Sequence, residues 1–94
     1  MTGPHLLLLY DYVEDILERR APHREAHLAR IAEWIDAGRM TMAGPLGDPP
    51  TGGAFILPGA DPAEAERFAE GDPYVLAGLV TGRRILPWTV VASA

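Results

Sequence analysis

The 94-residue chain contains no cysteine, which excludes disulfides, thiolate nucleophiles and thiolate-held metals. Lysine, asparagine and glutamine are missing too, so Schiff-base chemistry and oxyanion holes built from side-chain amides are out of reach. The only serine is Ser93, beside the last residue, where chain ends hold a catalytic geometry poorly. Serine and cysteine hydrolases are thereby excluded. Apolar runs are short: Leu6 to Leu9 falls far below the roughly 20 residues of a bilayer-spanning helix, and no positive charge precedes it as in a secretory leader. No membrane partner is expected, and a cytoplasmic protein is. Basic residues are scarce, with 8 against 13 acidic ones and a net charge of −5. Such a surface repels a phosphate backbone, so no nucleic-acid partner is expected.

What remains is three His, three Tyr, five Thr, eight Arg and the carboxylates. That inventory suits proton transfer. The length fits one small domain over residues 1–94, with no room for a second core.

His5 to Tyr10 reads as a strand with apolar residues on both faces. Asp11 to Arg20 is polar, a loop or first helical turn. A helix begins near Ala21-Pro22 and runs to about Ala37, Gly38 stopping it, with Leu28, Ile31, Trp34 and Ile35 as its apolar stripe. Arg39 to Ala43 is predicted as a second strand ended by Gly44-Pro45. Residues 46–53, rich in Pro and Gly, are predicted as a hairpin loop unable to hold a ladder. Ala54 to Leu57 is a third strand, again apolar on both faces. Asp61-Pro62 opens a second helix running to about Glu70, with Ala65, Phe68 and Ala69 on one side. Asp72-Pro73 starts a short turn, and residues 83–92 form a last strand that Pro87 assigns to an edge or a bulge.

The order βαββαβ fits the ferredoxin-like α+β fold, a four-stranded antiparallel sheet with both helices on one face. Its first and third strands lie at the centre, and their apolar outer face needs cover. A homodimer packing sheet against sheet is expected; the alternative is that loop 46–53 folds over that face.

Antiparallel alternation also brings the end of the first strand, the start of the first helix, the end of the second strand and the residues after the second helix to one rim of the sheet. Tyr10, Arg24, His27, Gly44-Pro45, Asp72 and Tyr74 therefore converge. At about 100° per residue, His27 lies about 40° from Ile31, at the border of the apolar stripe, with Arg24 one turn earlier. Each has a plain structural alternative. His27 reads equally as a half-buried helix histidine, Arg24 as a snorkelling side chain and Asp72 as a helix cap before Pro73.

Arg24-Glu25-Ala26-His27-Leu28, then Gly38-Arg39, then Ala43-Gly44-Pro45, then Asp72-Pro73-Tyr74-Val75 with Ala77-Gly78 resemble the YciI-like (YCII-related) family over nearly the whole chain. The resemblance implies a ferredoxin-like fold of the dimeric α+β barrel type. It also implies an active site built on a His and Asp pair, carried here by His27 and Asp72. One branch of that family is a dehydrochlorinase of aromatic ring-cleavage pathways. Glu25 departs from the pattern, which often has Pro after the Arg, and adds a negative charge near the helix start.

A carboxylate accepting from one imidazole nitrogen fixes the tautomer and leaves the other nitrogen to exchange a proton near neutral pH. His27 is thus the candidate acid or base and Asp72 its orienter. Arg24 is suited to a forked contact with a substrate anion, Tyr10 to donating a hydrogen bond to the substrate, and Pro45 and Tyr74 to shaping the pocket. His27→Ala is expected to remove turnover with little change in Tm. His23 and His27, four apart, suggest a metal, but Arg24 stands where a zincin has Glu and no third ligand is evident, so no metal or other cofactor is expected. The glycines match no phosphate-binding or dinucleotide fingerprint.

Two functions compete. One is a cofactor-independent lyase or isomerase moving a proton on a small anionic or aromatic metabolite; the other is a non-catalytic dimer binding a small molecule or a protein in the same cavity. Turnover whose pH profile changes in Asp72→Asn separates them.

Overall fold

Alternation along His5 to Tyr10 sends Leu6, Leu8 and Tyr10 to one side and Leu7 and Leu9 to the other. In the structure, a computed structural model that describes residues 2–94, this stretch is the middle of β1 (Gly3–Tyr12). It is flanked on both sides, by β3 (Gly52–Pro58) and by β4 (Val80–Val90), both antiparallel. With β2 (Met42–Leu46) outside β3, the sheet order is β2-β3-β1-β4, the order expected of a ferredoxin-like fold. The helical elements are α1 (Ile16–Arg19), a 3-10 turn over Ala21–His23, α2 (Arg24–Asp36), α3 (Pro62–Gly71) and α4 (Pro73–Leu76).

One sheet face carries the core. Leu6, Leu8 and Tyr10 of β1 and Phe55 and Leu57 of β3 meet Trp34 of α2 and Ala65, Phe68 and Ala69 of α3. Phe68 is the hub, its ring 5.1 Å from Phe55 and edge-on to Trp34 at 5.3 Å, spacings at which aromatic pairs add to plain burial. Asp61 caps α3 by accepting from the Ala63 amide at 3.1 Å. Gly38, at φ +72°, ends α2 in the left-handed conformation that other residues avoid.

Arg30 docks α2 against the end of α3. Its Nε donates to the Phe68 carbonyl at 3.1 Å and its Nη2 to the Arg67 carbonyl at 2.9 Å; the Phe68 carbonyl lies in the last turn, where a helix leaves carbonyls without amide donors. Gly71 makes room for this, since a Cβ there would stand 2.5 Å from the guanidinium.

Three expectations are corrected. β2 starts later than predicted and contains Gly44-Pro45 rather than ending at it. Pro45 is tolerated because β2 is an edge strand, whose outward amides have no partner to lose. The segment expected to hold no ladder is partly paired, with Leu46 opposite Gly52 and Pro45 opposite Gly53, and only the turn between them is irregular. Gly52 is required there, since a side chain would strike the Tyr10 carbonyl, and a side chain at Gly53 would have to displace the Tyr12 hydroxyl. The buried stripe of α2 is also rotated from the one read off the sequence. Its buried members are His27 and Trp34, with Ile31 partly buried between them, whereas Leu28 remains 46% exposed and Ile35 is exposed as well. A polar residue at the centre of a buried face is what a count of apolar residues misses.

The other sheet face has no helix over it. Met42, Ile56, Leu7 and Leu86 form one row across all four strands, and Trp88, beside His5, is 41% exposed. The hairpin between β2 and β3 does not cover this face; it lines a cavity with α2 instead.

Candidate active site

Asp72 ends α3 and begins α4, so Pro73 follows in a first helical position and the carboxylate caps the new helix. Its Oδ1 accepts from the Tyr74 amide at 3.1 Å. The same oxygen accepts from Nδ1 of His27 at 2.7 Å, and Oδ2 accepts from the Tyr10 hydroxyl at 2.8 Å. Asp72 is therefore both the cap and the partner of His27. The two readings open in the sequence are one arrangement, in a residue that is 0% exposed. Burial of a carboxylate is tolerable only with such full satisfaction.

His27 is held on three sides. Asp72 takes Nδ1–H, the Tyr74 ring stacks on the imidazole at 3.6 Å and 6°, and Phe55 stands edge-on at 6.2 Å. With Nδ1 committed, Nε2 is the nitrogen left for the cavity that His27 lines.

The cavity, about 550 Å³, lies between α2 and the β2–β3 hairpin. That volume suits a small metabolite. Arg24, His27, Pro45 and Tyr74, all expected at the site, line it. Tyr10 does not. Expected to donate to a substrate, it sits 1% exposed behind Asp72 and donates there, because its place in the core strand β1 turns it inward. Its role is to hold the carboxylate. His23 does not line the cavity, and among the described residues no group of three or more His, Asp or Glu is arranged to hold a metal.

Sequence reasoning missed Tyr12, Arg20 and Phe55 in the lining, along with the hairpin residues Gly47 to Pro50. Tyr12 was legible in principle, two residues beyond Tyr10 and so on the same strand face. Arg20 is four residues before Arg24, a spacing that places side chains together only if the helix extends backward. Here α1 and the 3-10 turn supply that continuity.

Burial raises all three phenols above the ordinary tyrosine value of about 10. Tyr12 is pushed up to about 12, chiefly by burial, with Arg20 and Arg24 pulling the other way. Tyr10 is raised further, by burial first and then by the charge and hydrogen bond of Asp72. All three hydroxyls are donors at neutral pH.

The geometry of Asp72 also revises the expectation for His27→Ala. That change removes one of three hydrogen bonds to a buried carboxylate and empties the space under Tyr74, at a cost of about 1–3 kcal/mol. A Tm lowered by several degrees accompanies the loss of the imidazole.

Residues 5–89 match the family of the YCII-related domain. Curated relatives include Protein YciI of Escherichia coli O6:H1 and of Shigella flexneri, each 36% identical over 86 residues, covering 82% of this chain and 88% of the relative. Among solved structures, the chain is similar to the 5-chloro-2-hydroxyhydroquinone dehydrochlorinase of Burkholderia phenoliruptrix AC1100 in complex with 2,5-dihydroxybenzoquinone. The TM-score is 0.75 at 24% identity, with 90% of this chain and 93% of that chain covered. That likeness is one of fold.

The raised phenols give a pH test. Unfolded phenols ionise near pH 10 while the native ones keep their protons, so the unfolded chain releases protons the native state retains. Stability is then complete below pH 10 and falls as pH rises above it. With no lysine in the chain, few other groups titrate in that window. Melts between pH 9 and 11 should show Tm falling with pH, and Tyr10→Phe, though less stable at pH 7, should fall less steeply; a Tyr10→Phe slope equal to wild type contradicts the assignment.

Proposed function

The chain belongs to the YCII-related domain family, and from that premise we propose that it is an acid–base enzyme, needing no cofactor, that moves a proton on a small ring metabolite. The observation that carries this reading is the 2.7 Å hydrogen bond from Nδ1 of His27, which lines a metabolite-sized cavity, to the buried carboxylate of Asp72. Nε2 removes a proton from a carbon or hydroxyl of the substrate, and the electron pair moves into the substrate's π system. In an isomerisation the proton returns to another atom; in an elimination the electrons expel a leaving group. Asp72 orients the ring and offsets the charge of the imidazolium. The similar dehydrochlorinase acts by name on a hydroxylated aromatic, which supports a substrate of that kind here. The absence of cysteine fits the cytoplasm, where we place the protein.

We also propose that the working unit is a homodimer joined through the open sheet face. Met42, Leu86 and Trp88, each 41% or more exposed, with the half-buried Leu7 between them, offer apolar area worth about 25 cal/mol per Å² when covered, and the β2–β3 hairpin is engaged elsewhere.

Proton exchange into hydroxylated ring compounds in D₂O tests the first proposal. His27→Gln should lower the rate roughly 10²- to 10⁴-fold. Asp72→Asn should also lower it and change the pH profile; its amide keeps an acceptor for the cap, and the Tyr10 hydroxyl is free to rotate and accept from the new NH₂. Equal rates in wild type and His27→Gln reject catalysis, and saturable binding without exchange indicates a binding module. For the dimer, light scattering should give twice the chain mass, and Trp88→Glu should halve it. A monomeric wild type refutes the interface.

A further inference from the structure

Most arginines of this acidic chain have partners outside the cavity. Arg19, Arg39, Arg67 and Arg83 pair with Asp15, Glu64 or Glu66, and Arg30 is spent on carbonyls. Arg20 and Arg24 differ, as does the exposed Arg84, which lies outside the cavity lining. Arg20 and Arg24 both line the cavity, and among the described residues neither lies within 4.0 Å of a carboxylate. The one acidic side chain lining the cavity besides them is Asp48, on the hairpin, and it pairs with neither. Both guanidiniums stand near the hydroxyls of Tyr12 and Tyr74, lowering their pKa values against the effect of burial. In a protein of net charge −5, this wall presents two fixed cations and two neutral phenol donors.

We propose that Arg20 is a substrate-binding residue which, together with Arg24, clamps an oxyanion, so that the cavity selects ring compounds bearing a carboxylate. The inference rests on reading the cavity as a small-molecule site. Two guanidiniums give a carboxylate more than one forked, charge-assisted contact, and a fixed cation without a protein counter-ion is left for the ligand. Pro45 and the small exposed parts of Phe55 and Tyr74 stand in the same lining as His27, so an anion held by Arg20 and Arg24 leaves the ring of the substrate in the part of the cavity that His27 lines.

The test compares 2,5-dihydroxybenzoate with 1,4-dihydroxybenzene, which differ by the carboxylate alone, by calorimetric or NMR titration of the whole protein at neutral pH. Wild type should prefer the carboxylate probe by about tenfold or more. Arg20→Met should lose about tenfold in affinity for the carboxylate probe with the neutral probe unchanged, and Arg20→Lys, which keeps the charge without the fork, should fall between. His27→Gln should retain the preference; a protein that shows it without any proton exchange keeps the clamp and loses the catalytic reading. Equal affinity for the two probes in wild type, binding of neither, or equal losses for both in Arg20→Met overturns the proposal.

Discussion

A single buried carboxylate organises this molecule. Asp72 receives hydrogen bonds from a core strand, from the helix that carries His27 and from the helix it caps. An ionised carboxyl group without such partners would cost several kcal/mol to bury. The three donors therefore have to arrive together. Their meeting ties β1, α2 and α4 at one rim of the sheet, and Arg30, one turn beyond His27, fixes α2 to the Arg67 and Phe68 carbonyls of α3, about one turn before Asp72. Rigidity at the His27–Asp72 pair and satisfaction of a buried charge are the same requirement.

The topology was legible in residue patterns because its signals are local. Asp61-Pro62 and Asp72-Pro73 mark helix starts through capping chemistry, Gly38 marks a helix stop, and alternation along β1 distinguishes two faces. From the strand order the convergence of His27 and Asp72 then follows geometrically. Less legible were features decided by neighbours distant in the chain. Gly52 and Gly53 look like loop glycines until the backbone of Tyr10 and the side chain of Tyr12 are seen against them. Tyr10 looked like a donor to substrate, but which way a hydroxyl points depends on what lies across the core. The face α2 buries was misjudged for a related reason: a histidine satisfied by a buried acid occupies a position that apolar periodicity assigns to Leu28 or Ile35.

Charge is distributed with a consequence for ligand choice. The chain is acidic overall, yet the cavity wall is rich in donors and cations. Burial keeps its phenols neutral, so they add hydrogen-bond donors without adding negative charge. The open sheet face, by contrast, is apolar and uncharged along its central row. The proposed ligand cavity and the proposed dimer face thus differ in chemistry, and the sheet separates them.

The central claim is that Asp72 fixes the histidine with Nε2 free for the cavity. Long-range ¹H–¹⁵N NMR of the His27 ring measures this directly, because the two nitrogens report which of them carries the proton in the neutral form. The account requires the proton on Nδ1 in wild type and in Asp72→Asn, whose amide oxygen still accepts it, with that preference lost in Asp72→Ala, which removes the acceptor. A neutral ring protonated on Nε2, or a tautomer indifferent to Asp72→Ala, would contradict it.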